Sequence, residues 1–343
     1  MKTFRRVLFF DTPIGANINQ APFWLLWLTW PGLILASGIL ISYSTGYPTN
    51  ALIDFITIAQ FPLLAYYLTR KDFQLKYTLQ IHALFVFLYL LTVLADLFFP
   101  TLKDLISITP RGVDAGRHSF LSTEPSFFAE LVVTTLIIIF FQRKYLVLFL
   151  SLLIFYGLSL SKTILQQLSV FFAIYFLMSM VFANRKFTVS AGVLRVGYVG
   201  ATFIALALLV HPWVKELGSL LHSEWNSWRL ASNVIAVNIA EVNPTPEYRQ
   251  AVVEGSYGYV SWMKFAVWSL HPFIVLKFGI LTFGLYLCVI SITVIKRGVY
   301  VVDPFLATLI IYSILCLVMF SPKWNVTQQY LLFWGLSIAK KRY

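Results

Sequence analysis

From Arg111 to Ala129 the chain reads Arg-Gly-Val-Asp-Ala-Gly-Arg-His-Ser-Phe-Leu-Ser-Thr-Glu-Pro-Ser-Phe-Phe-Ala. Arg111 and Arg117 are guanidinium groups of the kind that grip phosphate oxygens in pairs. His118 and Glu124 are groups that can take a proton from a hydroxyl. The same run also fits an ordinary helix start, with Thr123 as cap, Pro125 in the first turn and Glu124 complementing the positive end of the helix dipole. A second polar segment, Ser159-Leu-Ser161-Lys162-Thr163, is a tight turn between two apolar runs. Its lysine either snorkels to an interface or meets a lipid phosphate. A third carries Trp228-Arg229, then Pro244-Thr-Pro-Glu-Tyr-Arg249, and closes on Gly255-Ser-Tyr-Gly258. Loop arginines are usually solvated, yet Arg229 and Arg249 suit bidentate binding of a pyrophosphate.

Other chemistries are excluded. There is no P-loop, GxGxxG, HExxH, GxSxG or DxD pair in the chain, so metal- and nucleotide-dependent reactions lack their usual residues, and no cofactor or metal is expected. Cys288 and Cys316 both lie in apolar runs without ligand spacing and read as lipid-facing or core residues. His82 falls near the inner end of an apolar run and reads as structural, whereas His118, His211, His222 and His271 fall on or near the other face. Asp54 and Asp96 stand toward the outer ends of their runs.

The elements that must position these groups follow from composition. Of the 343 residues 59% are hydrophobic and 12% charged, which excludes an ordinary water-soluble enzyme and predicts an all-α polytopic membrane protein. Charge-poor stretches predict about ten transmembrane helices, at 21–43, 50–69, 78–100, 125–141, 145–159, 163–183, 190–211, 273–295, 303–320 and 325–339. Structure inside the hydrocarbon should be helical throughout, because open strands would leave backbone groups unpaired there. Met1–Phe10 starts like a signal peptide, but Asp11 and Pro13 interrupt it, so the first span is expected to be an uncleaved anchor.

Sixteen of the twenty-six lysines and arginines fall in the terminal and even-numbered connections, which places both termini in the cytoplasm. Topology and attraction to anionic membrane lipids then account for the net charge of +12, and nucleic acid is not an expected partner. The whole chain, 1–343, reads as one integral membrane domain. Two outer segments stand out, a first loop at 101–124 and a large loop at 212–272 between spans seven and eight. The large loop also gathers Trp213, Trp225, Trp228, Trp262 and Trp268, as a segment resting at an interface would.

In the Arg117–Ala129 segment the chain resembles bacterial polysaccharide polymerases of the Wzy type, relatives of the O-antigen ligases. Many of these carry an arginine, a small-residue stretch and Glu-Pro-Ser ahead of an apolar helix. The Ser159–Thr163 turn is similar to their Ser-x-Ser-Arg/Lys-Thr segment, and Arg229 to their loop arginine. Phe278-Gly279-Ile-Leu-Thr-Phe-Gly284 resembles the glycine-punctuated start of their next span. The likeness covers about residues 111–295 in consistent order. It departs after the loop arginine, where the family's proline and Gly-x-Gly are represented only by Pro244, Gly255 and Gly258.

The resemblance implies a GT-C-like architecture in the bacterial inner membrane, with its active face periplasmic. The implied reaction moves a glycan from undecaprenyl pyrophosphate to the next lipid-linked repeat, with donor and acceptor both lipid-linked and a chain-length regulator as a further partner. On this reading Arg117 and Arg229 stabilise the leaving pyrophosphate and Glu124 takes the acceptor proton. Lys162, Arg249, His118 and Arg111 bind pyrophosphate or glycan, and His118 is the alternative base. The alternatives are an O-antigen ligase, which uses lipid A core as acceptor, and a lipid-linked sugar transporter or flippase.

Overall fold

The computed structural model describes residues 76–99, 125–159, 161–183, 185–211, 269–295, 298–320, 331–332 and 334–336. The expected spans at 21–43 and 50–69 and the loop at 101–124 lie outside these residues, as does most of the loop at 212–272. Among the described residues seven helices follow one another: α1 (Lys76–Phe98), α2 (Pro125–Phe141), α3 (Tyr145–Ser159), α4 (Lys162–Phe182), α5 (Ala191–Val210), α6 (Leu270–Val294) and α7 (Pro304–Leu315). A wider π-helical turn, Cys316–Phe320, continues α7. Helix α6 begins at Leu270, so the last residues of the expected large loop belong to its first turn.

Within α4 and α5 the stretches Thr163–Phe182 and Ala191–Leu209 are long and apolar enough to cross a membrane. Large apolar side chains point outward as well, among them Phe87 and Leu94 on α1, Leu146 and Phe149 on α3, and Val196 and Ile204 on α5. Surface of this kind is disfavoured by water.

The described residues form two compact units. In one, α2 packs on α3 and α4, α4 packs on α7, and α1 reaches α2. The core joins Tyr89, Leu136, Phe155, Phe171, Tyr312 and Trp334 from six parts of the chain. Short connections force the antiparallel order of α2, α3 and α4. The α2–α3 turn is a Schellman closure: Arg143 takes a positive φ of 59°, its N–H reaches the Phe140 carbonyl at 2.9 Å, and the Lys144 N–H reaches the Ile139 carbonyl at 3.3 Å. At the head of α7, Asp303 caps the helix by accepting from the Leu306 N–H at 2.8 Å, with Pro304 in the first turn.

Residues 334–336 come so close to α7 that a Cβ on Gly335 would stand 2.5 Å from Leu309 Cδ1. A branched side chain fits only if the end of the buried Leu309 side chain moves aside, and overpacking of this kind costs about 1–3 kcal/mol. Gly335→Val is therefore expected to lower the thermal unfolding temperature in detergent, whereas an unchanged midpoint would mean the contact is not held in solution.

Two strands not expected from the sequence, β1 (Phe187–Ser190) and β2 (Val299–Val302), pair antiparallel with Phe187 opposite Val302 and Ser190 opposite Val299. Both are rich in β-branched and aromatic residues. They belong to connections between helices, so the expectation of helices within the apolar spans is untouched. Their pairing puts the end of α4 and the start of α7 on the same side of this unit.

In the other unit α5 packs against α6. Arg195, in the first turns of α5, donates two hydrogen bonds to the Ile295 carbonyl, at 2.8 Å from Nε and 2.5 Å from Nη2, closing the carboxyl end of α6 with a cation. The two helices are therefore antiparallel. Arg195→Met keeps the aliphatic stem and removes both bonds, and is expected to cost about 1–3 kcal/mol in detergent unfolding; a wild-type midpoint would deny the bond any role.

Helix α6 is bent. Residues twelve apart in a straight helix are separated by about 18 Å, yet the rings of His271 and Phe283 lie 5.2 Å apart and those of His271 and Tyr286 6.4 Å apart. Gly279 lies inside the bent stretch and has the least restricted backbone there.

Candidate functional site

Of the residues predicted to act on substrate, Arg111, Arg117, His118, Glu124, Arg229 and Arg249 lie outside the described residues. Lys162 is the first residue of α4, and Ser161 before it is extended and makes no side-chain capping bond. Pro125, directly after Glu124, is the first residue of α2. Both predicted motifs thus run into the first turn of a helix, and these two helices touch each other.

The contact between them is polar. Glu130 on α2 is 1% exposed, and its Oε1 accepts a hydrogen bond from Gln167 Nε2 of α4 at 3.4 Å. Gln167 Oε1 in turn accepts from the Tyr312 hydroxyl of α7, also at 3.4 Å. Cys316, one turn beyond Tyr312, hydrogen-bonds Tyr312 and lies within electrostatic reach of Glu130. Thr134, one turn beyond Glu130, returns its hydroxyl to the Glu130 carbonyl at 2.9 Å, so it asks nothing of its apolar neighbours.

The register of this contact bears on the motifs. Glu130 is five residues beyond Pro125 and Gln167 five beyond Lys162. In parallel helices, a bond between residues at equal distance from the two starts holds those starts at the same height. The first residues of α2 and α4 therefore stand at the same level, about 7–8 Å of helix rise from the bonded pair.

Sequence reading passed over Glu130, which is a single carboxylate in a seventeen-residue apolar helix. Two signals were available. Ionisable residues inside apolar spans are functional candidates by default, and Ser126, Glu130 and Thr134 repeat at the helical spacing of four.

The histidines divide as follows. His82 is buried, with Nε2 2.8 Å from Ser151 Oγ and its ring edge-on to Phe155, a packed position that matches a structural role. His271 is buried in the first turn of α6, and its Nδ1 has no hydrogen-bond partner among the described residues. His211 directly follows α5, and His118 and His222 lie outside the described residues, as does Asp54. Asp96 is in the last turn of α1. Cys288 is exposed on α6 and Cys316 buried. Among the described residues no three His, Cys, Asp or Glu side chains gather as metal ligands.

The chemistry within reach of this arrangement is hydrogen bonding and charge stabilisation at one end of a helix bundle. No known family, curated protein or solved structure matches the chain.

Proposed function

We propose that the protein is a membrane glycosyltransferase of about ten spans that polymerises lipid-linked oligosaccharide repeats. It moves the growing glycan from undecaprenyl pyrophosphate to the next lipid-linked repeat on the periplasmic face of a bacterial inner membrane. The observation that carries the reading is the order of polar segments along an otherwise apolar chain: Arg117 and Glu124-Pro-Ser at the head of one apolar run, Ser161-Lys162-Thr163 at the head of another, then Arg229 and Arg249 in a long loop. The level starts of α2 and α4 support it, since one substrate can be reached from both.

In the proposed reaction an acceptor hydroxyl attacks the anomeric carbon of the donor sugar, and the bond from that carbon to the pyrophosphate oxygen breaks. Glu124 takes the hydroxyl proton. Arg117 and Arg229, with Lys162 and Arg249, stabilise the charge that builds on the leaving pyrophosphate. His118 and Arg111 contact the glycan or pyrophosphate beside them.

The test is reconstitution of the purified protein with pyrophosphate-linked repeat units and neither nucleotide nor metal. A ladder of products supports the reading. Transfer that needs lipid A core as acceptor identifies a ligase instead. One observation favours a second reading: Glu130 is an ionisable side chain buried within an apolar helix, and such residues mark transport pathways. Movement of lipid-linked sugar across vesicles without any new glycosidic bond would replace the polymerase by a transporter.

A further inference from the structure

Two pairs of cations stand at one end of the unit that contains α2, α3, α4 and α7. Arg143 and Lys144 form the turn between α2 and α3, and Arg185 and Lys186 follow the end of α4 and lead into β1. The bond from Gln167 to Glu130 sets Phe141, the last residue of α2, level with Met178 of α4. Helix α4 ends at Phe182, only about 6 Å further along. The rings of Phe141 and Phe305, 4.7 Å apart, bring the start of α7 to the same end. All four cations are exposed, and among the described residues no hydrogen bond or ion pair occupies their side chains. The one described acid at this end, Asp303, caps α7.

Each pair adjoins an outward apolar stripe. On α3, which begins directly after Lys144, Leu146, Leu150 and Leu153 are exposed, and on α4 Ala173, Phe176 and Met180 are exposed ahead of Arg185. Spacings of three and four keep each series on one helix face. Helix α4 has 21 residues and rises about 32 Å, close to the thickness of a bilayer's hydrocarbon core. Its end therefore falls where headgroups begin. A headgroup layer is about 5–8 Å deep on each side, so the stagger between the two helix ends leaves both cation pairs within it.

The ligand that fits is an anion joined to long apolar chains. A soluble phosphate or a nucleic acid would use the cations and leave the stripes bare. A zwitterionic lipid would cover the stripes and leave the positive charge unanswered. We propose that this end of the unit binds anionic phospholipid: one phosphate at Arg143 and Lys144 with its acyl chains along α3, another at Arg185 and Lys186 with its chains along α4. The inference rests on the chain spanning a membrane and is independent of the polymerase reading.

The test starts from full-length protein in vesicles of equimolar phosphatidylglycerol and phosphatidylcholine. The protein is extracted in a mild detergent and the lipid it retains is counted by mass spectrometry. Wild type is expected to retain an excess of phosphatidylglycerol, since a cation at the membrane surface raises local affinity about fivefold and each phosphate meets two. Arg143→Gln/Lys144→Gln and Arg185→Gln/Lys186→Gln should each lose about half of that excess, and the fourfold variant nearly all of it. Lys340→Gln/Lys341→Gln, which removes the same charge at the end of the chain, should leave it unchanged.

A wild type without the excess overturns the proposal. So does an equal loss in Lys340→Gln/Lys341→Gln, because net charge rather than this surface would then attract the lipid. An excess that inorganic phosphate removes, and chloride at equal ionic strength does not, identifies a site for soluble anions and overturns it as well. Should the fourfold variant fail to insert, the two double variants are judged by the same outcomes, with Arg143→Lys/Arg185→Lys expected to keep the excess.

Discussion

Arg117→Ala is expected to abolish polymer formation by reconstituted protein while the chain still inserts and accumulates normally. The leaving pyrophosphate gains charge as the glycosidic bond breaks, and a fixed cation in a water-poor site stabilises that charge where water cannot. Removing one such donor costs about 2.7–4 kcal/mol, or on the order of a hundredfold or more in rate. Arg117→Lys should fail almost as badly, because an ammonium lacks the planar fork that holds two phosphate oxygens at once. The measurement is the product ladder per amount of inserted protein. A normal ladder in Arg117→Ala would defeat the proposed site, since a solvated loop arginine costs almost nothing to remove.

The second large effect is expected of Glu124→Gln. As general base Glu124 must accept the acceptor proton in the transition state, and losing such a group slows turnover by about 10²–10⁴-fold. The amide keeps the size of the side chain and part of its hydrogen bonding, so insertion should be unaffected. Because Glu124 directly precedes α2, whose register against α4 is set five residues further on, its loss should appear in turnover more than in substrate affinity. Full activity in Glu124→Gln would remove it as the base and turn attention to His118.

These two variants also separate the rival readings. A transporter would feel Arg117 as one charge on a pathway and would depend more on Glu130, the carboxylate buried inside the apolar bundle. Loss of polymer in Arg117→Ala together with near-normal turnover in Glu130→Gln is the pattern the polymerase reading predicts.

Much of the helical framework was legible along the chain because a helix in an apolar run is a local matter. The runs at 125–141 and 145–159 coincide with α2 and α3, and those at 163–183 and 190–211 lie within a residue of α4 and α5. At Arg143-Lys144 and Asp303-Pro304 the helix ends rest on turn and cap chemistry that neighbouring residues settle among themselves. The two strands were not legible: four residues each, they become strands only by pairing with one another more than a hundred residues apart. The bend of α6 was likewise hidden, although Gly279 stood in view, since a glycine permits a bend without requiring one.

The candidate site divides along the same line. Sequence alone determined which residues carry charge, which apolar run follows each motif, and that Glu124 and Lys162 directly precede or open such runs, because these are properties of neighbouring residues. Only the tertiary structure decided that α2 and α4 begin at the same height and that Glu130 is the residue joining them. The bonds responsible link residues 37 and 145 positions apart, from Glu130 to Gln167 and from Gln167 to Tyr312. Directional contacts at such separation have no local signature, and they form only once three helices have packed in one register.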